Sequence, residues 1–80
     1  MKQIKSLEEL KQKASVGFVD CFIRLNFGLR SSKDITYNED TDTWYIFHHI
    51  DGSEQKLTTE ELAGATNIIE ALEKGALYQH

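Results

Sequence analysis

Apolar positions along the chain follow two different periods. Before Gly17 and after Thr58 they recur every three or four residues, as on one face of a helix. Between those points they alternate, as along a strand whose side chains point to opposite faces. In the first segment Leu7, Leu10 and Ala14 share a face, while Lys5, Glu8, Lys11 and Lys13 fall mainly elsewhere. Ser6 followed by Glu9 forms a capping box: the serine oxygen takes an orphan N–H and the glutamate reaches back. The pattern predicts a helix over residues 6–14, with Gly17 at its exit.

The middle of the chain predicts an antiparallel meander. "FVDCFIRLNF" gives a strand over 19–27, because its β-branched and aromatic side chains fit a pleated surface. Val19, Cys21, Ile23, Leu25 and Phe27 form its core face; Phe18, Asp20, Phe22, Arg24 and Asn26 point the other way. A second strand runs from Leu29 to Tyr37, bent near Ser31 and Ser32 and centred on 33–37. "NEDTD" is a polar turn. "WYIFHHI" lies in a third strand over 43–50, with Trp44, Ile46, His48 and Ile50 on one face and Tyr45, Phe47 and His49 on the other. Asp51-Gly52 is a hairpin signal, and a short fourth strand follows over 53–57.

Helical spacing then returns. Thr58 with Glu61 repeats the capping box and opens a helix over 59–65. Thr66 or Asn67 is expected to cap a last helix over 67–74. Ile68, Ile69 and Leu72 face inward, and Gly75 stands where a helix commonly ends in a left-handed glycine. The tail is expected to pack Leu77 and Tyr78 back on the sheet. The fold class is therefore α+β: a meander of three to four antiparallel strands with an N-terminal helix and C-terminal helices packed on it.

Length and charge narrow the picture. Eighty residues with 40% hydrophobic content and no proline support one small domain spanning 1–80. A single cysteine cannot form an internal disulfide, which fits a reducing compartment. No apolar run reaches the ~18 residues of a membrane span, and the N-terminus lacks a signal-peptide core. A cytoplasmic protein without a membrane partner is expected. The net charge of −4 conceals an asymmetry: residues 1–33 carry seven Lys/Arg and three Asp/Glu, whereas 34–80 carry two and ten. The acidic half argues against a general nucleic-acid coat. The basic half keeps a local anion site open.

Three stretches, "GLRSSKDITY", "HHIDGSEQKLT" and "TNIIEALEKGALYQ", resemble the pattern of a family of small uncharacterised bacterial proteins. The resemblance runs from about Phe18 to Tyr78. It implies a bacterial cytoplasmic setting and brings no activity, cofactor or ligand.

Candidate chemistry is sparse. "GLRSSK" places Arg30, Ser31, Ser32 and Lys33, with Arg24 from the preceding strand, as candidate anion-binding residues, since a glycine-containing turn can aim backbone N–H groups at an anion. The stretch is not a P-loop, because the second glycine and the following helix are absent. The competing reading is a hairpin connection that runs into an edge strand, with Lys33 deterring sheet-to-sheet pairing. His48 and His49 are adjacent in a strand and cannot share a metal; Cys21 with His49 supplies too few ligands for zinc. Asn38, Asp40 and Asp42 imitate the opening of a calcium loop, but Thr43 and His49 stand where glycine and glutamate are required. No cofactor motif is present, and no metal is expected. Cys21 falls on the core face, where a thiol is inert packing. His49 with a carboxylate has acid–base capacity, but spacing selects no partner. The chain is therefore not expected to be an enzyme.

Both faces of the third strand are largely apolar. If the helices leave one uncovered, an aromatic contact surface results. The candidate partner-binding residues are Phe22, Trp44, Tyr45, Phe47 and His49. The expected function is a cytoplasmic protein–protein interaction or regulatory module, acting on a protein partner or by self-association. The alternative is a nucleic-acid or phosphate-binding module built on the Arg30–Lys33 segment.

Overall fold

The computed structural model describes the backbone of residues 2–25 and 28–79 and the side chains of residues 2–22 and 32–79. In chain order the elements are β1 (Lys2–Gln3), α1 (Leu7–Val16), β2 (Val19–Leu25), β3 (Gly28–Asn38), β4 (Thr43–His48), β5 (Glu54–Leu57), α2 (Thr59–Ala63), α3 (Thr66–Glu73) and β6 (Leu77–Gln79). The strands form one antiparallel sheet of six, in the order β1-β6-β2-β3-β4-β5. The α+β class is as expected, but the sheet is wider than three to four strands. The tail does not merely pack on the sheet: β6 is part of it, bonded to β1 on one side and β2 on the other.

Local chemistry explains the helix ends. Ser6 Oγ accepts the Glu9 N–H at 3.1 Å, while the Glu9 carboxylate accepts the Lys5 N–H at 3.2 Å, one residue further back than a capping box requires. Thr58 and Glu61 complete the reciprocal box at 3.0 and 3.2 Å. The last helix departs from expectation, because its N-cap is Ala65 and no side chain caps it. Its far end is a Schellman motif. Gly75, at φ +68°, donates to Leu72 C=O and Ala76 donates to Ala71 C=O, turning the chain directly into β6.

One buried cluster joins the helices to one face of the sheet. Val19, Cys21, Ile35, Tyr37, Trp44, Ile46 and Leu77 meet Ile4, Leu10, Ala14, Leu62, Ile68 and Ala71 there. Trp44 is fully enclosed, stacks at a tilt 4.4 Å from the Tyr37 ring and donates from Nε1 to Thr59 Oγ1 at 3.0 Å. Asp42 ties the β3–β4 turn to this corner by accepting from Tyr37 Oη at 2.9 Å and from the Thr59 hydroxyl. Those hydrogen bonds, the Thr59 one foremost, hold its carboxyl below the ordinary range.

Several boundaries differ from the sequence reading, for identifiable reasons. The segment from Gly28 to Lys33 is not a turn but ladder, paired from Leu25↔Gly28 to Cys21↔Lys33. The connection between β2 and β3 therefore falls at residues 26–27, outside the described residues. β3 is not an edge either, because β2 and β4 occupy both its sides. Cys21 pairs with Lys33 and Phe22 with Ser31, so Ser32 is a bulge residue. β4 ends at His48, and Ile50 sits 78% exposed in the following turn instead of on a core face. That turn closes with Gly52 at φ +72° and with Asp51 accepting from the Ser53 N–H and hydroxyl.

Candidate functional site

Strand alternation sends Asp34, Thr36, Tyr45 and Phe47 away from the helices, because their neighbours Ile35, Trp44 and Ile46 are buried beneath them. The register sets these side chains in rows. Asp20 opposes Asp34, Asp34 opposes Phe47, and Phe47 opposes Glu54; one row over, Thr36, Tyr45 and Lys56 are aligned. No described helix lies on this side, since the core cluster gathers α1, α2 and α3 onto the opposite face. Phe47 is 39% and Phe18 43% exposed. Lys56 Nζ stands 5.6 Å from the centre of the Tyr45 ring.

His49 folds over the end of this face. Its backbone N–H donates to Ser32 C=O at 2.9 Å, extending the β3–β4 ladder beyond the strand itself. Its ring meets Phe47 edge-on at 5.2 Å, and Nε2 lies 3.2 Å from Asp34 Oδ1. The carboxylate that spacing could not select for His49 is thus Asp34. The pair resembles a base with its orienting acid, but among the described residues no hydroxyl or thiol hydrogen-bonds to His49. Cys21, 4% exposed, belongs to the helix-covered face and does not meet it.

The residues expected to contact a partner are not all brought together. Tyr45, Phe47 and His49 form one contiguous surface. Trp44 must be removed from that set: it is the largest fully buried side chain and holds the core. Phe22, on β2, lies across β3 from this cluster, half-buried and edge-on to Tyr78 at 5.5 Å.

The candidate anion cradle changes character. The side chains of Arg24, Arg30 and Ser31 lie outside the described residues. Ser32 is only 2% exposed, and its hydroxyl donates inward to Cys21 C=O at 3.0 Å, satisfying the carbonyl beside the bulge. Lys33 shares a face with Cys21 and His48, its register partners, and so points to the helix side. A laddered strand cannot converge consecutive N–H groups on one anion, so the candidate nest in "GLRSSK" is not formed.

Among the described residues no three His, Cys, Asp or Glu side chains are grouped to hold a metal, and no helix is long and apolar enough to cross a membrane. Sequence reasoning missed Asp34, which carries no motif and is identified only by cross-strand register. The chain matches no protein-family model, no curated protein and no solved structure.

Proposed function

We propose that this chain is a non-enzymatic binding module whose contact surface is the sheet face carrying Tyr45, Phe47, His49 and Asp34. The observation supporting this reading is the one-sided packing of all three helices, which leaves Tyr45 and Phe47 outward on the interior strand β4. Ordinary soluble domains cover such rows or use them. Among the described side chains the surface also carries Asp34 and Glu54 against one lysine, Lys56, so the complement we propose is a protein segment with basic side chains among apolar ones. Tyr45 and Phe47 serve as anchors, because rigid aromatic rings bury much area at small entropic cost.

The test is affinity capture with the immobilised chain after nuclease treatment, comparing wild type with a Tyr45→Ser, Phe47→Ser double variant. A discrete protein retained by wild type, at moderate salt, and lost by the variant is the expected result. A capture consisting only of nucleic acid, steeply weakened by salt, reverses the proposal, because phosphate binding releases counterions and an apolar interface does not. The variant's melting temperature must stay close to wild type for the comparison to count.

A further inference from the structure

On the helix side of the same strands the sheet departs from an apolar core. Lys33 and His48 are register partners on adjacent strands and both point toward α3. A lysine at the centre of a sheet, on the face that buries Ile35 and Ile46, is out of place as packing. The side chain lines a hollow of about 290 Å³ together with His48, Gln55, Thr66, Asn67 and the apolar Ile46 and Ile68. No Asp or Glu lines that hollow, in a chain with a net charge of −4. Nor does an ion pair join Lys33 or His48 to a carboxylate among the described residues. Asp51, the acid whose carboxyl feels His48, is turned to Ser53.

We infer that this hollow binds the phosphate group of a small molecule, held by Lys33 and His48 with the amides of Gln55 and Asn67 completing the contacts. The chemistry follows from the donor set. Lys33 supplies a fixed positive charge with three N–H donors, imidazole donates from at least one nitrogen in either protonation state, and each amide offers N–H groups. Lys33 also borders a neighbouring hollow that contains Glu70, but that carboxylate is held by Lys74 at 2.7 Å. Donors with no acid in their own lining suit an oxyanion, and lysine is a common point-charge partner for phosphate. The volume lies near the lower end of ligand pockets, which favours a small ligand. Ile46 and Ile68 wall one side and lower the local dielectric, which strengthens each charged contact. This site is on the opposite side of β3 and β4 from Tyr45 and Phe47, so the two can succeed or fail separately.

The experiment is a ¹⁵N-HSQC titration of the full chain with inorganic phosphate, against chloride at equal ionic strength and pH. Saturable shifts centred on Lys33, His48, Gln55 and residues 65–68 are expected. Lys33→Gln should weaken the phosphate affinity about tenfold or more, the loss of one charge-assisted contact. Lys5→Gln, just before α1 and outside the lining of the hollow, should leave it unchanged. Gln55→Ala and Asn67→Ala replace exposed residues, and each should weaken binding several-fold whether or not Lys33→Gln folds. Shifts that do not saturate, that chloride reproduces, or that survive Lys33→Gln and both amide variants overturn the inference. Acetate binding as tightly as phosphate overturns the assignment to phosphate.

Discussion

The two faces of β4 differ in everything except chain position. Trp44 and Ile46 are sealed beneath three helices, while Tyr45 and Phe47, one residue away, look outward. Strand geometry alone puts them on opposite sides. What assigns one side to the core is the location of the helices, and that depends on contacts far along the chain. The difference teaches that a strand apolar on both faces is not by itself evidence of burial on both. Here one aromatic set holds the fold together, and the other faces away from the helices.

Removal of Trp44 should break this comparison most sharply. Trp44→Ala deletes a fully enclosed indole and orphans its hydrogen bond to Thr59, which should cost about 3–5 kcal/mol in urea unfolding. Such a loss is a large fraction of a small domain's total stability, which is only ~5–15 kcal/mol. A variant as stable as wild type would mean that the indole is not core. Gly75→Ala probes the covered face at its hinge. A Cβ at φ +68° is strained and would meet the Gln3 side chain, so a loss of about 1–2 kcal/mol is expected by thermal melting.

Phe47→Ala should cost no more than about 1 kcal/mol, because its ring is 39% exposed and meets the His49 ring edge-on at the open face of the sheet. A loss comparable to that of Trp44→Ala would show that the outward face is structural. The smallest effect expected concerns Asp42. Its carboxyl titrates below the ordinary value of 3.8 in the folded chain, so its contribution is full above that pH and disappears as pH falls through the lower folded value. Asp42→Asn should therefore lower the melting temperature slightly at neutral pH and leave it nearly unchanged below the folded value, which flattens the acid limb of the profile. A steeper limb in the variant would contradict this linkage.

Much of this arrangement was legible in residue order, and what escaped shares a cause. Alternation identified the Tyr45 and Phe47 side of β4, and Thr58, Glu61 and Gly75 announced helix ends because caps are local chemistry. Trp44 was placed among contact residues because periodicity assigns faces without saying which is covered. Ala65 as an N-cap was illegible, since it has no side-chain signal to give. β1 and β6 were missed because two or three residues cannot display a period; their pairing is visible only in three dimensions. The same is true of Lys33, whose position in an interior strand depends on β2 and β4 flanking it.

The placement of β6 between β1 and β2 has a kinetic consequence. The β2–β3–β4–β5 meander joins sequence neighbours, so each hairpin closes a short loop and can form early. β1 cannot: its hydrogen-bonding neighbour is β6, and the pairing Lys2↔Gln79 spans nearly the whole described chain. That closure carries the largest entropic cost in the sheet and is rewarded only after α3 and its Schellman turn have delivered Leu77 to Cys21. Until then the free side of β2 is an unpaired strand edge. The same exposed edge would accept a β6 from another molecule, so slow insertion of these three residues is where exchange between copies would begin.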